Sequence, residues 1–167
     1  MIPEPDEAGP SLRAAMDRMA GQDPSLAPIA LGWATVDLDR AEHAFRDALV
    51  GFTLASEDMP DDLLLGARCR LIRTGVPGVA IVLLLEPFTE GRLAAILARH
   101  GEGPAAIWLL EGPTSTSVAN AAAASEPVMP RSSSAQGPFG TEVLLRDGAR
   151  AGPYRILIVA APGTITP

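Results

Sequence analysis

The feature that most constrains this chain is the stretch Val79 to Leu110, VAIVLLLEPFTEGRLAAILARHGEGPAAIWLL. It reads as strand, sharp stop, short helix, glycine turn, strand. Val79 to Leu85 is a run of β-branched and leucine residues. It is too short to span a membrane and typical of a buried strand. Pro87 has no N–H for a ladder and ends it. Thr89 is placed to cap the next helix, with Glu90 at its positive end. Leu93, Ile96 and Leu97 fall on one apolar face. Arg99 and His100 sit at the negative end, and Gly101 supplies the left-handed stop. Ala105 to Leu110 is a second buried strand.

One unit precedes this stretch and a second follows it. Met1 to Pro10 reads as a loose tail. Ser11 caps a short helix with Leu12, Ala15, Met16 and Met19 as its stripe, ended by Gly21. This helix is expected to dock on the body or on a second subunit. Ile29 to Val36 is the first strand. Asp37 caps a helix whose apolar residues Ala41, Ala44, Phe45, Ala48 and Leu49 give the clearest amphipathic pattern in the chain. Phe52 to Glu57 is predicted as a strand, Met59 to Asp62 as an acidic turn, and Leu63 to Arg73 and Val79 to Glu86 as two more strands. After the linking helix the pattern restarts. Ala105 to Leu110 is a strand, Ser115 to Ala124 an alanine-rich helix, and Val128 and Met129 a short strand. Arg131 to Pro138 reads as a mobile polar loop, and Thr141 to Arg146 and Tyr154 to Ala161 as closing strands. The order β-α-β-β-β thus occurs twice. Residues 1–28 are an arm and linker, and 29–161 one domain, made of modules 29–88 and 105–161 joined by a helix and turn at 89–104. Residues 162–167 are a tail.

Composition narrows the function classes. A net charge of −7 and a pI near 4.7 disfavour nucleic acid and anionic membrane as partners. The acidic start MIPEPDE has no apolar core, which predicts no secretory leader. A single cysteine rules out an internal disulfide framework and predicts a cytoplasmic home. With two histidines and one cysteine, little material exists for a nitrogen or sulfur metal site. No phosphate loop, Ser-His-Asp order or zinc spacing is present.

Four segments carry a resemblance. LGWATVDLDRAEHAFRDALVGF is similar to the strand-Asp-Leu-Asp-helix-Gly-Phe opening of the vicinal oxygen chelate (glyoxalase/bleomycin-resistance) superfamily, with Val50 as one extra residue before the glycine. PFGTEVLLRDG resembles its late hairpin and GPYRILIV its closing strand. LLLEPFTEGRLAAILARHGEGPAAI is most similar to the methylmalonyl-CoA epimerase branch, where strand, proline, short helix and Gly-Glu-Gly precede two histidines. The resemblance covers roughly Ile29 to Ala161. It implies an α+β fold in which two βαβββ modules form a half-open, eight-stranded barrel with helices on the outside, here with an N-terminal helical arm. It also implies a homodimer, and four metal ligands on strands one, four, five and eight. Carried onto this sequence, those positions fall on Ala30, Leu83, Ala106 and, within a slip of one or two residues, Leu157, and none of these offers a lone pair to a cation in any register. The expectation is a copy without the superfamily's metal or any other cofactor.

Strand alternation then names the lining of the site. Ala30, Gly32 and Ala34, Ile81, Leu83 and Leu85, Ala106 and Trp108, and Arg155, Leu157 and Val159 share the face of the lost ligands. This is an apolar bowl with one indole and one guanidinium, suited to a small hydrophobic or aromatic ligand, with Arg155 as anchor for an acidic group. The same residues read equally well as plain core. Trp33 falls on the opposite face. His43 reads as solvated, and His100 as a helix C-terminal residue. Cys69, between Arg68 and Arg70, reads as a buried thiol, or as an activated nucleophile if it faces the bowl. Glu86, Glu111 and Glu142 are candidate general bases near strand ends.

Three functions follow from this lining. The first is a metal-free small-molecule binder. The second is a metal-independent isomerase or lyase, with an acyl thioester or a secondary metabolite as substrate. The third is an interaction subunit, favoured if the bowl is filled by its own side chains.

Overall fold

The structure is a computed structural model that describes residues 5–21, 23–111, 133–145 and 153–159. The predicted helix at 115–124 and strand at 128–129 lie outside the described residues. The elements run α1 (Pro5–Ala20), β1 (Leu26–Ala34), α2 (Leu38–Ala48), β2 (Ala55–Asp62), β3 (Ala67–Val76), β4 (Val79–Pro87), α3 (Arg92–His100), β5 (Gly103–Glu111), β6 (Ser134–Gly137), β7 (Gly140–Leu145) and β8 (Tyr154–Val159).

All eight strands form one sheet in the order β2-β3-β4-β1-β5-β8-β7-β6. The first four and last four strands are arranged alike. β1 pairs with β4 in parallel, β5 pairs with β8 in parallel, and β1 and β5 join the halves antiparallel. The sheet curls until its edges approach, where the Leu63 N–H donates to the Gln136 carbonyl at 3.1 Å. This is the expected eight-stranded half-barrel with its added N-terminal helix.

Each face of the sheet has its own core. On the outer face, α1 and α2 pack on Leu31, Trp33, Ile72, Val82, Leu84, Ile107 and Leu109. α2 is capped by Asp37, whose side chain accepts from the Arg40 N–H, and it buries Leu38, Ala41, Phe45 and Ala48. Trp33 meets Phe45 edge-on at 5.2 Å, on the face that alternation assigned to it. α1 starts six residues before the predicted Ser11 and runs through Pro10. Its buried stripe of Ala8, Leu12, Ala15, Met16 and Met19 begins ahead of the proline, and packing outweighs the local break. The arm thus docks on its own body.

Other boundaries move for similar reasons. The acidic segment 59–62 is strand: Met59 pairs with Cys69 and Asp62 with Ala67, and a register shift between them leaves Pro60 and Asp61 exposed and turns Asp62 inward. The turn falls instead at Leu63–Gly66, where Gly66 has φ +73°. α3 starts behind Gly91, not Thr89, and has no side-chain cap. Ser134–Gly137, read as part of a mobile loop, is the edge strand β6 paired to β7.

Candidate functional site

The inner face is built from alternate residues of the central strands. Gly32 lies opposite Leu83 on one side and Ala106 on the other, and Ala30 lies opposite Trp108. Ala30, Leu83, Ala106 and Trp108 are all fully buried in one cluster with Leu85, Leu71 and Cys69. From β8 that cluster takes Ile156 and Ile158, not Leu157. The register explains this, because Ile156 pairs with Trp108 while Leu157 pairs with the outer-face Leu109. The strand is thus one residue out of step with the expected alternation.

Arg155 shifts with it. It pairs with the outer-face Ile107, and its Nη2 donates to the Ala20 carbonyl at 3.0 Å, closing the C-terminal end of α1. The expected guanidinium of the bowl is therefore absent from the bowl, and Val159 is half exposed on the same outward parity as Leu157.

Ala30, Gly32, Ala34 and Ala106 are small, but over Gly32 the room they leave is taken by the chain itself. A methyl group on Gly32 would stand 2.7 Å from Trp108 Cζ3 and 3.0 Å from both Leu85 and Ala106. Trp108 in turn meets Phe139 edge-on at 5.8 Å. A described cavity of about 290 Å³ lies elsewhere, at the corner of α3 and β5, lined by residues including Ile96, His100, Pro104, Ala105 and Pro153.

Two carboxyl groups interrupt this hydrocarbon. Asp62, at the end of β2, and Glu142, in β7, are both fully buried and face each other across the interior. Glu142 pairs with the inward Ile158, so its direction follows from register. Gly137 opposite has no side chain, and a methyl group there would collide with the Glu142 carboxyl. Asp62 Oδ1 accepts from the Leu65 N–H at 2.8 Å, and Glu142 Oε1 from the Phe139 N–H at 3.2 Å. Asp62 Oδ2 and Glu142 Oε2 have no partner, and neither has the indole Nε1 of Trp108. Burial lifts both acids above the usual carboxylate range, Glu142 to about 7. The nearby Trp108 N–H favours the charged form of Glu142, although its geometry falls short of a full hydrogen bond.

The remaining candidates take plain roles. Cys69 faces inward, but Arg68 and Arg70 point the other way, to Glu86 and to Asp39, Asp58 and Glu42 respectively. Burial and the Asp62 and Glu142 charges push its thiol up, so activation by the arginines does not occur. Glu86 accepts from the Leu38 N–H at the start of α2, and Glu111 is exposed. His43 is held by the Asp39 carbonyl on the surface of α2.

The expected ligand positions of strands one, four and five therefore carry Ala30, Leu83 and Ala106, and β8 presents Ile156 and Ile158. Hydrocarbon at all of them does not fit a divalent cation. Among the described residues no group of three or more His, Cys, Asp or Glu side chains could hold a metal ion, and no helix is long and apolar enough to cross a membrane. Asp62 was missed in the sequence because it was assigned to a turn. Glu142 is among the candidate bases near strand ends, and its burial is what the sequence does not show. The alternation of β7, with Glu142 two residues before Leu144, was the available signal.

Solved structures similar to this one include methylmalonyl-CoA epimerases. A Mycobacterium tuberculosis methylmalonyl-CoA epimerase aligns with a TM-score of 0.60 and 21% identity, over 87% of this chain and 97% of that one. The fold is that of the vicinal oxygen chelate proteins. A hypothetical protein from Bacillus halodurans aligns with a TM-score of 0.58 and 16% identity, over 85% and 99% of the two chains. A Streptomyces coelicolor methylmalonyl-CoA epimerase in complex with 2-nitronate-propionyl-CoA gives 0.53 and 23%, over 78% and 94%. No family model matches the sequence, and no curated protein matches it.

Proposed function

We propose that this chain is a metal-free small-molecule-binding protein on the vicinal oxygen chelate scaffold. Its ligand is small and hydrophobic or aromatic, and it carries a neutral hydrogen-bonding group. One observation carries this reading: three buried polar atoms, Trp108 Nε1, Asp62 Oδ2 and Glu142 Oε2, gather inside a hydrocarbon interior and complete no hydrogen bond with any group outside their own cluster. Each such atom costs about 1–3 kcal/mol. A proton between the two carboxyls offsets that cost only while it is held, and the indole has no acceptor in full hydrogen-bond geometry. A ligand with a donor for the carboxyls and an acceptor for the indole would offset that cost. With Arg155 on the outer face and two acids inside, an acidic ligand is disfavoured, which revises the expected chemistry.

The side chains that fill the space over Gly32 favour an interaction subunit. The unpartnered polar atoms favour the binder, because a finished core leaves few of them. A second reading is a metal-independent isomerase or lyase. It draws on the carboxyl pair, which places a proton acceptor beside a proton donor, and on the epimerases that share the fold. A cytoplasmic homodimer is proposed with either.

Thermal unfolding with 2-naphthol and with 2-naphthoate tests the reading. Saturable stabilisation is expected with the neutral compound, about 2.7 kcal/mol at a hundredfold excess over Kd, and little with the acid. Elemental analysis of the same sample is expected to find no divalent metal. Stoichiometric metal, or equal indifference to both compounds, overturns it.

A further inference from the structure

We propose that the seam where β2 meets β6 is a proton-operated gate. One proton shared between Asp62 and Glu142 holds the two edges of the half-barrel together, and its loss lets them part and opens the inner face around Trp108.

Three links close the seam. The first is the hydrogen bond from the Leu63 N–H to the Gln136 carbonyl. The second is Arg92 of α3, which donates to the Leu64 carbonyl at 2.8 Å and to Ser133 Oγ at 2.9 Å, one on each side of the seam. The third is the carboxyl pair. Asp62 ends β2, at one edge of the sheet, and Glu142 pairs with Ala135 of β6, at the other. Leu64 and Leu65 on one side also share the buried cluster that Ala135 and Phe139 pack against on the other, but that apolar contact does not change with pH.

The first two links lie towards solvent, where Leu63 is 61% exposed. The third is wholly buried. Each carboxyl has one oxygen pinned by a backbone N–H, which leaves Oδ2 and Oε2 with no donor except a proton between them. Two facing carboxyls out of water cannot both ionise without strong repulsion. The pair therefore holds one proton and attracts, or holds none and repels.

The surroundings do not change that sign. Arg92 eases the charge of Asp62 from α3, and the Trp108 N–H eases that of Glu142 from β5. Cys69, from β3, is kept protonated by burial first and then by the field of both acids, to which Asp61 adds. One guanidinium facing two carboxylates leaves net negative charge in the interior. Burial lifts Glu142 to about 7, so the change of state falls near neutral pH.

The gate goes beyond the binding reading and is read without any ligand, so a failed ligand screen leaves its test intact. The chain has two tryptophans, and labelling with 5-fluorotryptophan gives two fluorine resonances, assigned with Trp33→Phe. The difference in shift between H₂O and D₂O reports water at each indole. It is expected to rise from near zero at Trp108 between pH 6 and 8, and to stay flat at Trp33. Glu142→Gln and Asp62→Asn, each checked for native circular dichroism, are expected to abolish the rise. A Trp108 signal indifferent to solvent across this range in the parent chain overturns the gate. So does an unchanged rise in both folded variants. Should neither variant fold, the parent titration decides alone.

Discussion

Glu142→Gln isolates the buried carboxyl pair in a single measurement. Glu142 is raised from an ordinary 4.5 to about 7 by burial. Between those values the folded chain keeps a proton that the unfolded chain has released. Raising the pH therefore favours unfolding, and the stability present below about 4.5 is lost as pH climbs through about 7. At 1.36 kcal/mol per pKa unit the loss is roughly 3 kcal/mol. Asp62, also raised by burial, adds in the same direction. Glutamine keeps the shape and cannot ionise. The variant is expected to match the parent within about 1 kcal/mol at pH 5, the worth of one hydrogen bond, and to exceed it by about 2–3 kcal/mol at pH 8. Urea unfolding at pH 5, 6, 7 and 8 and constant ionic strength measures both chains, and titrating groups away from the pair cancel in the difference. Glu42 works the opposite way but outside this range. Hydrogen bonds from Ser56 and Arg46 hold it at about 2, so its contribution is lost only as pH falls below about 4.5. Parallel stability curves for parent and variant from pH 5 to 8 would refute the reasoning.

Two further outcomes test the packing. Gly32→Ala inserts a methyl group 2.7 Å from Trp108 Cζ3, and is expected to cost about 1–3 kcal/mol in urea unfolding; a neutral result would mean the indole moves freely. Cys69 is 3% exposed with its thiol pushed up. Mass spectrometry is expected to find it unmodified by iodoacetamide at pH 7.5 until urea unfolds the chain, and modification of the native protein would show an accessible thiolate.

Much of the inner face was legible before the fold. Ala30, Leu83, Ala106 and Trp108 were placed on one face by alternation, because residues two apart on a strand share a side. The same rule failed on β8 by one residue, since alternation fixes which residues go together but not which set faces in. That choice belongs to the register with the neighbour: Ile156 against Trp108 turned Arg155 and Leu157 outward. Asp62 and Glu142 lie 80 positions apart in sequence, and nothing local in either segment marks the other.

By itself, the sequence determined the two-module pattern, the amphipathic α2, and the hydrocarbon at the positions onto which the resemblance carries metal ligands. These depend on periodicity and residue type, which are local. Only the tertiary structure decided that Trp108 fills the space over Gly32, that Arg155 caps α1, and that two acids from opposite edges meet out of water. Curling of the sheet brings those edges together, and the burial that follows changes the chemistry of both groups.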